Sequence, residues 1–287
     1  MALQLFNRKT SEGEEMSFVD HLESLRWHII RALLAIIVAA IFIFIKLDWI
    51  VDNVIQGPIR NDFISYRVLC DFSHLIRLGD SLCMPPIPPG YKLLGTSVSG
   101  PFTSAIQIGL MGGLILAFPY VFWEFWRFIK PALSPKELKY SQKSIFWVSF
   151  CFFLGAAFGY FVLGPFTFNF LANFTLGTTG MYEYKPSLTD YLDTLLDLIL
   201  GCGIAFELPI LSYILTKIGL VTPMFLRSYR KYAYVAILVV AAIITPSPDW
   251  TSQMIVTLPL AILYEVSIII SARVYKYEKK KENEEWS

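Results

Sequence analysis

Ionisable side chains set against long apolar stretches are where this sequence could do chemistry, and three groups of them stand out. The first is "DHLESLRW", residues 20–27, which places Asp20, His21, Glu23 and Arg26 at the mouth of an apolar run. The second is "RFIKPALSPKELKY", where Glu137 is the only carboxylate among Arg127, Lys130, Lys136, Lys139 and Lys143. The third lies within the apolar stretches: Glu207, between "GCGIAF" and "LPIL", and Asp190, Asp193 and Asp197, spaced i, i+3 and i+7 on one helical face. An ionisable group at membrane depth costs a few kcal/mol or more, so it marks a bundle interior, an aqueous cavity or a partner contact.

Each group also has a plain structural reading. Glu137 occupies the third helical position after Ser134, where its carboxylate closes a capping box and still leaves a second oxygen for an incoming cation. Glu207 is read either as a packing residue beside a kink at Pro209 or as a polar contact for a partner helix or substrate. Asp190 is read as a cap, with Asp193 and Asp197 lining a wet outward cavity. No HExxH, Walker A or GxSxG pattern occurs, and His21, His28 and His74 lack metal-ligand spacing with cysteines or carboxylates. The sequence therefore predicts no enzyme, no cofactor, no metal site and no nucleic-acid partner. A proton-coupled small-solute transporter, with Glu207 and the aspartate face as its proton path, is the alternative these groups allow.

The elements that must position these groups are membrane helices. The chain is 55% hydrophobic and 16% charged, with mean hydropathy +0.54, far from the soluble norm. A bilayer core needs about 20 apolar residues per helical crossing. Six stretches qualify as candidates: Trp27 to Leu47, Pro101 to Trp126, Ile145 to Gly164, Leu188 to Thr216, Tyr232 to Thr245 and Thr251 to Ser271. Capping boxes are read at Ser17 with Asp20, Ser134 with Glu137 and Ser187 with Asp190, and Pro135 and Pro223 suit first-turn positions. The last two helices are expected to be short, forming a tight hairpin around "PSPDW".

Three parts follow: a cytoplasmic N-terminal segment 1–26, a six-helix transmembrane domain 27–271 with a long outward loop 48–100, and a charged tail 272–287, read as solvated and flexible. Eighteen of the 24 lysines and arginines fall in the N-terminal segment and just beyond it at Arg31, the loops near 127–143 and 217–231, and the tail. By the positive-inside rule both termini are cytoplasmic. No cleavable signal peptide is read in the acidic N-terminal stretch "SEGEEM". Cys151 and Cys202 are small core residues, whereas Cys70 and Cys83, in the outward loop, are either bridged or two free thiols.

Over about Met16 to Tyr275 the chain resembles the TatC family, the six-span receptor subunits of the twin-arginine protein translocase. The carriers are "HLESLRWHII", "SGPFTSAIQIGL", "FPYVFWEFWRFIKPALSPKE", "FGYFVLGPFTFNFL", "AFELPI" and "IITPSPDWTSQMIVTLPLAILYE". The resemblance implies an all-α, glove-shaped polytopic scaffold in the cytoplasmic (inner) membrane of a bacterium. Its partners would be TatA-type and TatB-type single-span subunits, further copies of itself, the lipid bilayer, and the Arg-Arg signal peptides of folded cargo moved by the proton-motive force.

The resemblance also assigns residues. Glu137 matches a carboxylate that receives a signal-peptide arginine, with Phe128, Pro131 and Leu133 in matching surroundings. The other such carboxylate belongs in the motif His-Leu-x-Glu-Leu-Arg, but here its position holds Ser24, and Glu23 sits one place earlier. One residue on a helix is about 100° of rotation, so Glu23 and the expected glutamate point differently. Glu207 matches a membrane-embedded glutamate that engages partner helices. Asp249 and Pro58 match an acidic outer-turn position and a loop proline, each also explained by local turn geometry. The middle of the outward loop, about 60–90, has no counterpart in the family pattern.

Overall fold

The computed structural model describes residues 18–75, 77, 79, 83–88, 90–129, 141–174, 185–245 and 250–285. Among these the architecture is helical, and the only β pairing is an isolated parallel bridge between Leu94 and Ser187. That follows from the solvent, since in hydrocarbon each backbone N–H and C=O must be paired within its own segment. Helix α1 (Phe18–Ile45) runs through "HLESLRW" without a break and leaves Val38 and Ile45 about 70% exposed on its lipid side.

The outward loop is folded and docked rather than loose. It comprises α2 (Leu47–Ile50), a π-helical turn over Val51–Ile55, a 3-10 turn at Gly57–Ile59 and α3 (Ile64–Leu75). Three tyrosine hydroxyls hold it through backbone carbonyls: Tyr191 donates to Ile55 at 2.5 Å, Tyr160 to Val54 at 2.7 Å and Tyr66 to Pro58 at 2.9 Å. Asn61 makes two bonds with the backbone of Ile87, and Asn169 donates to the Pro85 carbonyl at 2.6 Å. Cys70 and Cys83 are joined as a disulfide. The fold also brings His74 Nε2 to 3.7 Å from each of the two sulfurs, a juxtaposition the sequence reading did not anticipate. As a disulfide these sulfurs have no thiolate to offer a metal.

Helix α4 (Gly100–Ile129) carries Pro119 internally. Helix α5 (Ser141–Phe158) continues through a π-helical turn at Gly159–Leu163 into α6 (Gly164–Asn173). The third span therefore ends at Asn173 and not at Gly164, because Pro165 sits in the first turn of α6, where its missing N–H costs nothing. The fourth span divides into α7 (Leu188–Ala205) and α8 (Leu208–Lys217), with Phe206 and Glu207 forming the break before Pro209. After α9 (Pro223–Ser228) come α10 (Arg230–Ile244) and α11 (Trp250–Glu285). Ser187 accepts the Asp190 N–H at 3.1 Å, so the cap read there forms, and Thr222 accepts that of Phe225 at 3.2 Å, with Pro223 in the first turn as expected.

Five described segments are long and apolar enough to cross a membrane: Glu23–Ile45, Gly100–Phe128, Ile145–Asn173, Leu188–Lys217 and Gln253–Lys280. The sixth candidate, α10, has 15 residues and spans about 22 Å, short of the ~30 Å hydrocarbon core. The expectation that both last helices are short holds for α10 and fails for α11, which runs 36 residues without interruption. Its continuation through the charged tail, expected to be flexible, has a local cause: no Pro or Gly occurs after Pro259, and Lys and Glu are good helix formers.

Two apolar clusters hold the molecule together. One joins α7, α10 and α11 around Leu198, Cys202, Ala241, Val256 and Leu260. The other seats the outward loop on Ile108, Phe168, Tyr191, Leu192 and Leu195. A β-carbon on Gly159 would lie 2.5 Å from the Leu198 carbonyl oxygen, so a side chain there is incompatible with the approach of the third span to α7.

Candidate functional site

Helices α1 and α4 pack antiparallel: Gly109 and Gly113 lie against Phe44 and Ala40, while His28 meets Glu124 at the other end. A β-carbon on Gly113 would stand 2.8 Å from the Ala40 nitrogen, so the two backbones are in near contact at mid-span. That close approach forces the polar ends of the two helices together.

There, His28 Nδ1 lies 2.5 Å from Glu124 Oε2. Tyr120 donates to Glu124 Oε1 at 3.0 Å, and Arg127 Nη1 is 3.7 Å from the same oxygen. The Glu124 side chain is 1% exposed and that of His28 13%. Arg127, half exposed, also lies over the Trp123 ring at 4.9 Å. The carboxylate is thus fully engaged, as a buried charge must be if it is not to cost several kcal/mol. Phe128 stands edge-on to the His28 ring with centroids 6.2 Å apart.

Of the residues singled out by sequence, Glu23 is exposed on α1 and Ser24 half-buried, one turn from His28 on the same face. Phe128 joins this group through His28. Glu137, Leu133 and Pro131 lie outside the described residues, as do Asp249 and the capping box at Ser134. Pro58 is buried within its 3-10 turn, with its carbonyl bound by Tyr66, a placement that removes it from the surface. Cys70 and Cys83 sit on the outward loop, far along the chain from the α1 and α4 ends.

Glu207 precedes the first turn of α8 and is half-buried. Its Oε1 is shielded from solvent and has no hydrogen-bond partner among the described residues. Its helical neighbours Ile204 and Leu211 are 66% and 51% exposed, so this carboxylate borders a face open to the bilayer. Asp190, Asp193 and Asp197 are all exposed, and Gln107 donates to Asp193 at 2.5 Å. Their shared face therefore looks outward from the helix, and one member is already bonded across to α4.

Outside the spans, the Arg60 guanidinium bonds both oxygens of Asp62, at 3.0 and 2.9 Å, and holds that carboxyl below its usual range. Burial pushes the Tyr66 hydroxyl up to about 12.

Sequence reasoning missed Glu124 and the partnership of His28. The available signal was an acid inside the aromatic run "PYVFWEFWRF", whose i+3 neighbour Arg127 suggests an ordinary surface pair. Only the fold reveals that its main partner is 96 positions away.

Together these features define a polytopic α-helical membrane protein with a polar cluster where its first and second spans meet. The family model for the Sec-independent protein translocase protein (TatC) matches residues 20–259. The Sec-independent protein translocase protein TatC of Blattabacterium sp. subsp. Periplaneta americana (strain BPLAN) is 39% identical over 267 residues, 93% of this chain and 98% of that one. That of Helicobacter pylori (strain J99 / ATCC 700824) is 42% identical over 180 residues, 63% of this chain and 71% of that one. A crystal structure of the twin arginine translocase receptor TatC in DDM superposes with TM-score 0.67 at 31% identity, covering 88% of this chain and 99% of that one. The chain belongs to the TatC family and is a membrane component of the twin-arginine protein translocase.

Proposed function

We propose that the chain is the subunit that receives Arg-Arg signal peptides, at the site where the motif before the first span meets the loop after the second. The observation carrying this reading is the juxtaposition of Phe128 with His28, one turn from Ser24: the end of α4, which leads into that loop, neighbours the start of α1. Carboxylates accept a guanidinium through two parallel bonds, and lysine, a point charge, reproduces that poorly. Glu137, in the stretch of sequence that also carries Phe128 and Leu133, is the leading acceptor, with Glu23 and Ser24 on α1.

On this reading Glu207 meets the membrane helix of a TatA-type or TatB-type partner, supported by its unsatisfied oxygen and the exposed apolar residues beside it. The arrangement fits a bacterial inner membrane with both termini cytoplasmic, α10 crossing as the short arm of a hairpin with α11. The energy source is then the proton-motive force, and further copies of the chain assemble in the same complex. The disulfide between Cys70 and Cys83 supports this orientation, since disulfides persist in oxidising compartments.

The test is binding of an Arg-Arg signal peptide and its Lys-Lys version to the purified chain in detergent. Glu137→Ala is expected to reduce Arg-Arg binding much more than Lys-Lys binding. Equal loss for both peptides would overturn direct recognition of arginine.

A further inference from the structure

The reading just given leaves one arginine without a carboxylate at the motif's own position, since Glu23 sits one place away on α1 and Ser24 accepts a hydrogen bond but supplies no charge. One turn further into the membrane, about 5.4 Å along α1, lies the pair of His28 and Glu124. Because α1 and α4 run antiparallel, Ser24, one turn before His28, and Phe128, one turn after Glu124, lie on the same side of that pair, and Phe128 stands against the His28 ring. A long side chain entering from the helix ends between Ser24 and Phe128 therefore comes down on His28, behind which Glu124 is shielded at 1% exposure. The imidazole makes a single contact to Oε2, where a guanidinium fork could engage both oxygens.

We propose that Glu124 serves in place of the carboxylate missing at position 24, and that His28 holds it until an arginine of the signal peptide takes over. The inference rests on the receptor reading above. The exchange breaks no covalent bond: the guanidinium takes the carboxylate and the imidazole turns toward solvent, releasing to water any proton it carries. Tyr120 and Arg127, both from α4, are the other groups on this carboxylate.

The experiment measures affinity of the Arg-Arg peptide for the full chain, in parallel with the Lys-Lys peptide. Glu124→Gln is expected to weaken Arg-Arg binding about tenfold or more. His28→Ala, which removes the group competing for Glu124, should tighten it. Adding Ser24→Glu to the Glu124→Gln protein should restore binding, which rescue of a merely structural contact would not do. Wild-type affinity in Glu124→Gln overturns the proposal, as does a loss in Glu124→Gln that Ser24→Glu leaves uncorrected. If Glu137→Gln loses binding while Glu124→Gln retains it, the receptor reading stands and this inference falls. If the wild-type chain does not distinguish Arg-Arg from Lys-Lys, the receptor reading itself falls and takes the inference with it.

Discussion

The hydroxyl of Tyr191, a residue 1% exposed, donates to the Ile55 carbonyl at 2.5 Å, fixing the outward loop to the first turns of the fourth span. The loop is therefore part of the scaffold. Tyr191→Phe removes the donor and leaves a buried carbonyl unsatisfied, for an expected loss of about 1–3 kcal/mol. Thermal unfolding of the detergent-solubilised chain measures it, and unchanged stability would show that the loop is held elsewhere.

The disulfide between Cys70 and Cys83 closes a 13-residue separation in that loop. Closing a loop of this size restricts the unfolded chain by about 3 kcal/mol. Replacing both cysteines with serine should raise amide exchange and proteolysis between residues 60 and 88, while the spans keep their protection. An unaltered exchange pattern would mean that Asn61 and Tyr66 suffice to hold the segment.

Helix packing against the third span depends on Gly159 having no side chain. Gly159→Ala places a β-carbon against the backbone of Leu198, which cannot rotate away as a side chain would. The expected cost is about 1–3 kcal/mol from overpacking. Gly95→Ala, where nothing lies within 4 Å, is the control and should be neutral. Equal behaviour of the two variants would refute the close approach.

Tyr66 gives the loop an alkaline limit. Burial raises its hydroxyl to about 12 in the folded chain from an ordinary value near 10, so the folded state holds the proton more tightly. The stabilisation is complete below about pH 10 and is lost as pH rises toward 12. Following loop proteolysis against pH checks this, and Tyr66→Phe should remove the step at the expense of the bond to Pro58.

Local signals were legible wherever a residue and its partner lie within a turn or two. Ser187 and Thr222 could be read as caps because their bonds span three positions. The extents of α6 and α11 exceed the sequence expectation. The apolar run suggests an end at Gly164, whereas a π-helical turn at Gly159–Leu163 leads on into α6, and the charged tail, expected to be flexible, has a composition that favours helix. The His28–Glu124 pair was invisible because its members are 96 residues apart and neither carries a distinctive motif.

By itself the sequence determined the solvent, the helical class and the orientation signal, since apolar run length and Lys/Arg placement depend only on local composition. Its motifs also pointed to the family. What only the tertiary structure decided is which polar groups share a site. Gly113 lets α1 and α4 approach until their backbones nearly touch, and that contact forces His28 onto Glu124 beneath Ser24 and Phe128. A carboxylate that a linear reading passes over is thereby paired with a residue one turn from the gap in the motif, because burial and partnership are properties of packing and not of order along the chain.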